Sequence, residues 1–544
     1  MSSSVSNLAL RLKQDLPATV ARVCLALGAK PQSLLRGKRF AEACLIGSFA
    51  ALKRSPVAVP AEPPLRVVFF TMLGSHSFMT GTELALARAM RNRGHEVHVV
   101  LCDGILPACE NRNTGNADNW DLVCRKCALR GRGMAGAAGI TTHFFSDLVA
   151  AASDAEADRL IEAEDFSYIV ESSLYKFFRV GRLAGTAEEK EQGRRIEDAC
   201  RLTARAAIAL SRLAPDRVLM SHGVYSSWAP ALQIFNHLGI STAVYNKGKR
   251  RNSGVINWVK GAMDWDVSRE WERVKDRELS TAELAAIQDY LASRVTHKGD
   301  ALKYNFGEKE EREQTLKRFD LDAAKPIFVL FTNVLWDAAS AQKEIAFPNA
   351  VEWVMETIRW FAAHPDKQLV VKIHPAEVVI GTNQPFVREI ERIFPQLPEN
   401  VRVIAPQEKV NSWSITQITT AGLVHTSTPG MELPLEGVPC IVVSGVHYRG
   451  KGFTLDIGSR EEYFRMLDRW EDVVVDRERC KRSALRYAHL LFERYHLDWS
   501  FLIERGYGRY VAINARSDAE LAAHPTVKLV CDSLERQNDF LRAN

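Results

Sequence analysis

The chain has 544 residues, of which 46% are hydrophobic and 25% charged, and its formal net charge is +5. That length exceeds one ordinary core and implies two or three, and the composition excludes a disordered or fibrous protein. No run of about 18 apolar residues occurs, which excludes a membrane-spanning helix; no basic stripe interleaves with aromatics, so no nucleic-acid partner is expected.

The charge is uneven. Residues 1–54 carry nine Lys/Arg against Asp15 and Glu42, leaving the remainder slightly acidic. This basic front, with apolar stretches such as TVARVCLALGA, is read as a helical N-terminal segment over 1–60. It either packs on the body or makes a peripheral contact with an anionic membrane face. It lacks the order of a signal peptide, so the expected location is the cytoplasm, with a peripheral position at the inner face of the membrane as the variant.

SPVAVPAEPP reads as a linker. Beyond it, LRVVFFTML, TGTELALARAMRNRG and HEVHVVLCD form one βαβ unit, opening a first βα domain over 65–262. Further units are read at FSYIVESS, at EDACRLTARAAIALSRLA, and at DRVLMSHG with ISTAVYN. Residues 263–320 are charged and helical and read as a bridge. Alternation resumes in a second βα domain over 325–460: PIFVLFTN, an amphipathic helix burying Val351, Val354, Ile358 and Phe361, then LVVKIHP, VRVIAP, AGLVHTSTP and PCIVVSG. Residues 461–544 read as helices packing across both domains. The fold class is α/β, with two Rossmann-like βα domains; ligands of such sheets bind at the carboxyl ends of strands.

LVVKIHP and AGLVHTSTPGMELPLEGVPCIVVSG are both strand-then-turn segments. If their strands are neighbours, His374 and Ser427/Thr428 emerge at one edge. His374 offers an N–H, Lys372 a charge, and Pro375 shapes the turn. Ser427 and Thr428 offer hydroxyls at a helix start where Pro429 loses no donor, and the N-terminus of that helix, at Gly430, suits a phosphate. Glu432 falls where a carboxylate can accept from a ribose diol. A nucleotide site needs both parts. Taken singly, a His-Pro is a turn and a Ser-Thr before a helix is an N-cap; their joint occurrence carries the reading.

KIHP at 372–375, TSTPGMELPLEGVPCIV at 426–442 and GVHYRGKGFTLD at 445–456 resemble the capsule polysaccharide biosynthesis family. These are GT-B glycosyltransferases similar to Kdo transferases and to bacterial sialyltransferases with HP and S-S/T motifs. The resemblance covers about 325–460 and is generic over 65–260. It implies two domains facing a cleft, a CMP-sugar whose phosphate is held by His374, Ser427 and Thr428, and a sugar-acceptor domain at the N-terminal side. The acidic D/E-D/E-G motif of the sialyltransferases is missing, so no catalytic base transfers with the resemblance.

MLGSHSFMTGTELALARAMRNRGHEV resembles the first loop and helix of such transferases. His76, Glu83 and, in SHGVYSSW, His222 are the candidate bases for an acceptor hydroxyl. No metal or other catalytic cofactor is required by this chemistry. The DWD at 264–266 and DLD at 320–322 read as solvated loop acids.

Cys102, Cys109, Cys124 and Cys127, in CDGILPACENRNTGNADNWDLVCRKC, offer four soft ligands with one C-x-x-C pair inside an insertion over 102–127. They suit a structural zinc, an iron–sulfur cluster or free thiols. The function expected is transfer of a sugar from a CMP-activated donor such as CMP-Kdo to a glycan or glycolipid acceptor of a surface polysaccharide. Its rivals are a UDP-GlcNAc 2-epimerase, a CDP-polyol phosphotransferase of the teichoic-acid type and a non-catalytic assembly factor.

Overall fold

The computed structural model describes residues 18–20, 22–23, 38–58, 63–259, 265–295, 299–300, 307–337, 343–506 and 509–543. Most of the basic 1–60 segment, and Asp264 of the DWD, lie outside them. The chain divides into two compact units. Unit 1 comprises Met1–Phe177, Gly185–Met263 and Tyr495–Asn544; unit 2 comprises Phe178–Ala184 and Asp264–Arg494. The charged stretch from Asp264 on and the helices up to Arg494 therefore fall in unit 2, and the last fifty residues in unit 1.

Unit 1 contains β1 (Arg66–Met72), β2 (Glu96–Leu101), β3 (Thr141–Phe144), β4 (Arg217–Ser221), β5 (Thr242–Lys247) and β6 (Ser253–Trp258). Its sheet runs β3-β2-β1-β4-β5-β6 and is extended by a late strand at Leu497–Asp498, which pairs antiparallel with β6. From β3 to β5 every pairing is parallel. The central strands are buried along their whole length, as runs such as VVFFTM require when helices cover both faces. The helix Ser77–Asn92 follows β1, and its Arg88 forms a fully buried ion pair with Asp518, at 2.5 Å. Trp499 is also buried and donates to Thr82 at 2.8 Å. These two contacts fasten the C-terminal segment to unit 1. The stretch FSYIVESS, read as part of a further βα unit, runs instead, from its second residue, into the helix Ser167–Phe178. Its buried residues Ile169, Ser172, Ser173, Leu174 and Phe177 recur at helical spacing, which overrides the local apolar alternation.

Unit 2 contains β7 (Ile327–Phe331), β8 (Gln368–Lys372), β9 (Val401–Ile404), β10 (Ala421–Val424), β11 (Cys440–Val442) and β12 (Leu455–Asp456), all parallel in the order β9-β8-β7-β10-β11-β12. The helix Ala350–Ala362 buries Val351, Val354, Ile358 and Phe361 as its period predicts. In both sheets the chain winds outward one way from the first strand and then returns to the other side of it. The winding reverses between β1 and β4 in unit 1 and between β7 and β10 in unit 2, and such switch points open a crevice at the strands' carboxyl ends. No helix among the described residues is long and apolar enough to cross a membrane.

Candidate functional site

In unit 2 the loops after β8 and β10 are both tied to the exit of β7, which lies between them. The His374 backbone N–H donates to Thr332 Oγ1 at 3.0 Å. On the other side, Asn333 Nδ2 donates to Thr426 Oγ1 at 2.6 Å, and Ser427 Oγ donates to the Phe331 carbonyl at 3.3 Å. Nδ1 of His374 accepts the Ala376 N–H at 3.1 Å, which puts the ring proton on Nε2 and makes that nitrogen a donor. Pro375 is the N-cap of the short helix Ala376–Val379, and its fixed φ of −60° turns the chain at the strand tip.

Lys372, at the end of β8, is only 7% exposed, and among the described residues its Nζ has no hydrogen bond or ion pair. Burial lowers its pKa to about 8, with Glu408 opposing the fall. An ammonium kept in such a place is relieved by an anion. Nearby, Glu377 is buried, and its carboxyl is pushed up to about 7 by burial although the Phe386 N–H partly offsets the shift.

The helix Pro429–Leu435 begins at the proline as its sequence predicts, and Gly437, at φ 75°, follows its end. Tyr448 fixes the entry: its hydroxyl donates to the Ser427 carbonyl at 2.6 Å, and a Cβ on Gly430 would lie 2.6 Å from its ring carbon Cζ. Only glycine leaves that space. Ser427 itself is buried, its hydroxyl spent on the Phe331 carbonyl, whereas Thr428 and His374 are partly exposed. Glu432 is held by Arg294 at 2.8 Å, and the same guanidinium pairs with Asp300. One residue passed over in the sequence stands out here. His425, 2% exposed just after β10, has neither ring nitrogen partnered among the described residues, and burial lowers its pKa to about 4.

In unit 1 the corresponding strand exits carry His76 and His222. Met72, His222 and Tyr225 all have left-handed backbones, with φ of 63°, 57° and 62°. Such strain in non-glycine residues gathers at functional sites. His222 shares a short hydrogen bond with Ser221 Oγ at 2.5 Å and stacks on Trp228, with ring centroids 5.4 Å apart. Burial, with Lys176 and His76 adding to the fall, lowers it to about 3, and burial lowers His76 to about 4. Both are neutral at ordinary pH. Glu83 is fully buried under the sheet, accepts from Tyr245 Oη at 2.8 Å and is raised by burial to about 8. Its carboxyl is therefore protonated and enclosed.

The sequence reading missed Glu110. This partly exposed side chain accepts a hydrogen bond from Ser227, is pushed up to about 7 by burial and feels the charge of Lys176, which also acts on His222. It sits two chain positions beyond Ala108 in a loop read only for its cysteines.

Those cysteines do not form a ligand cage. Among the described residues no group of three or more His, Cys, Asp or Glu is placed to hold a metal ion. Cys124 Sγ instead accepts from Arg112 at 3.0 Å, Cys127 Sγ accepts from Asn111 at 3.4 Å, and Cys102 Sγ accepts from the Gly104 N–H at 3.4 Å. Burial raises Cys102 to about 12 and Cys109 well above the usual thiol range, so without a bound metal both are thiols at ordinary pH. No group among the described residues bears out the zinc or iron–sulfur expectation for Cys102, Cys109, Cys124 and Cys127. The acids read as loop residues behave so: Asp320 pairs with Arg402, Asp322 caps the Ala324 N–H, and Asp266 caps the Ser268 N–H.

The molecule is thus an α/β protein of two parallel-sheet units, each with its polar residues gathered at a winding switch. Residues 280–479, which hold β7 to β12, match the family of capsule polysaccharide biosynthesis proteins. No protein of curated function matches the chain. Among solved structures, the β-Kdo 2,4 transferase KpsC of Thermosulfurimonas dismutans is 17% identical with a TM-score of 0.33, over 52% of this chain and 81% of that one. The β-Kdo 2,7 transferase KpsC of the same organism gives 15% and 0.31, over 52% and 80%. The UDP-GlcNAc 2-epimerase of Neisseria meningitidis gives 10% and 0.25, over 77% and 94%. Likenesses this distant carry no functional weight.

Proposed function

We propose that the chain is a glycosyltransferase that moves a sugar from a nucleotide-activated donor to a growing surface polysaccharide or its glycolipid acceptor. We further assign the donor to the CMP-linked class, such as CMP-Kdo, on the resemblance of the HP and S-T segments. The observation that best supports this reading is the tethering of the His374 and Thr426–Thr428 loops to one strand exit, beside the Lys372 ammonium, which has no partner among the described residues. In this reading His374 Nε2–H, Lys372 and the Thr428 hydroxyl stabilise the charge that develops on the departing phosphate. Ser427 shapes the loop through its own hydrogen bond, and Glu432 reaches a ribose only by sharing its carboxylate with Arg294.

The acceptor hydroxyl needs a base, and Glu110 suits the task best. A carboxyl titrating near 7 accepts a proton at working pH and returns it readily. His76 and His222, held neutral, serve as hydrogen-bond partners, and the enclosed Glu83 acts as a structural acid. The enzyme would work on the cytoplasmic side, at the inner face of the membrane where its basic N-terminal segment meets anionic lipid.

A thermal-shift panel of CMP, UDP, GDP and CDP tests the donor class; stabilisation by CMP above the others is expected, and equal indifference to all four would end the reading. Incubation with the nucleotide sugar alone separates transfer from epimerisation, since an epimerase converts its substrate with no acceptor present.

A further inference from the structure

Unit 1 holds a pocket of about 210 Å³ lined by His76, Ser77, Arg130, Met134, Arg509 and Val511 among others. Its composition is one-sided: two guanidinium groups and no acid. Each wall has a sequence reason. Gly74 lets the loop after β1 approach the helix Trp120–Ala138 closely, since a Cβ there would lie 2.5 Å from the Gly131 Cα and the Cys127 carbonyl. That helix supplies Arg130 and Met134 one turn apart, on one face. The helix Lys38–Ala51 supplies Leu45 and Ile46, and the strand Tyr510–Ile513 brings in Arg509 at its start.

The floor of the pocket is the start of the helix Ser77–Asn92. Its N-cap, His76, gives no side-chain cap, and the first-turn N–H groups of a helix have no partner within it. Ser77 Oγ is turned away to accept the Tyr510 N–H at 2.9 Å, so it does not cap them either. Independently, Nδ1 of His76 is buried with no hydrogen-bond partner among the described residues. Lys247, which reaches the hydroxyl of the lining Tyr510 at 2.9 Å, is paired with Glu504 at 2.5 Å.

We propose that this pocket is an anion subsite, holding the carboxylate or phosphoester of the acceptor between Arg130, Arg509 and the amino end of the Ser77–Asn92 helix, with His76 Nδ1 as a further donor. Planar guanidinium forks match either oxyanion in two-point fashion, and a helix N-terminus favours negative charge. The volume is below the roughly 300–1,000 Å³ of pockets that take a whole drug-sized ligand. It therefore admits one acidic sugar or one headgroup, and the apolar wall of Leu45, Met134 and Val511 faces the carbon skeleton. The assignment to the acceptor rests on the transferase reading above; the anion site itself does not.

The test uses the full chain with three probes, inorganic phosphate, methyl glucuronide and glycerol 1-phosphate, measured by calorimetry. Millimolar or tighter binding of at least one probe is expected, weakened at least tenfold in Arg130→Gln and in Arg509→Gln, with the melting temperature of each unliganded variant unchanged. Arg509 is exposed, so its substitution leaves the fold intact, and Arg509→Glu, which reverses the charge, abolishes binding. Preference for the glucuronide marks a sugar acid, and preference for glycerol phosphate marks a phosphoester. No binding of any probe, or equal binding to the variants, overturns the proposal. Because the nucleotide panel is read in the same preparations, a CMP response without probe binding sinks the subsite alone, and probe binding without a nucleotide response sinks the transferase reading alone.

Discussion

Replacing Lys372 with methionine separates what this residue does for stability from what it does for function. Its pKa falls from the ordinary 10.5 to about 8 on folding, chiefly through burial. That fall corresponds to roughly 3 kcal/mol, at about 1.4 kcal/mol per unit of pKa, by which the folded state disfavours the charged lysine at neutral pH. The sign follows from proton counting. Between pH 8 and 10.5 the unfolded chain binds more protons than the folded one, so wild-type stability rises with pH through that window, and the penalty is fully present below it. Methionine matches the lysine stem and removes the charge. Lys372→Met should therefore melt roughly 5–10 °C higher at pH 7, at about 2–4 °C per kcal/mol for a domain of this size, and the advantage should disappear toward pH 10.5. The same variant should lose its response to CMP, because the missing cation is the one the phosphate would neutralise. Parallel melting curves of both proteins at pH 7 and pH 10.5, with and without CMP, give the answer. A variant less stable than wild type that still responds to CMP refutes the reasoning.

Glu110→Gln removes a carboxyl that titrates near 7, so the turnover number should fall at least a hundredfold and the acidic limb of its pH profile should vanish; an unchanged profile excludes Glu110 from proton transfer. Gly430→Ala drives a methyl group into the Tyr448 ring and should cost about 1–3 kcal/mol in stability, measured by denaturant titration, together with at least tenfold in nucleotide affinity. Retained affinity there detaches Tyr448 from the loop's geometry. Metal analysis of the purified chain should find no stoichiometric zinc; about one zinc per chain, released when Cys102, Cys109, Cys124 and Cys127 are modified, contradicts the thiol geometry.

The parallel core of unit 2 was legible because its strands are continuous apolar runs, buried on both faces and punctuated by Pro375, Pro429 and Gly437. Periodicity needs no tertiary information to show that. FSYIVESS failed for the opposite reason: at eight residues, the alternation of Tyr168 and Val170 competes with a helical set that only the packing of Ile169, Ser172 and Phe177 decides. Ser427 could be placed beside a strand tip but not oriented, since its inward turn depends on a carbonyl 96 positions earlier. Glu432 looked available because Arg294 lies far away in sequence. The four cysteines had adequate spacing for a metal, yet spacing does not specify where the sulfurs point, and Arg112 and Asn111 bind two of them. Glu110, Arg130 and Arg509 had no motif. Their significance comes from burial and from neighbours that the fold alone supplies.

The central claim is that His374 helps hold the phosphate of a cytidine nucleotide at the β7 exit. Calorimetric titration of CMP into wild type and His374→Ala tests it most directly. Loss of the Nε2–H donor to a charged phosphate removes about 1.5–3 kcal/mol, so the account predicts binding to the wild type and affinity some 10- to 150-fold weaker in the variant, with an unaltered fold by circular dichroism. Equal affinity in the two proteins, or no binding of CMP to either, contradicts it.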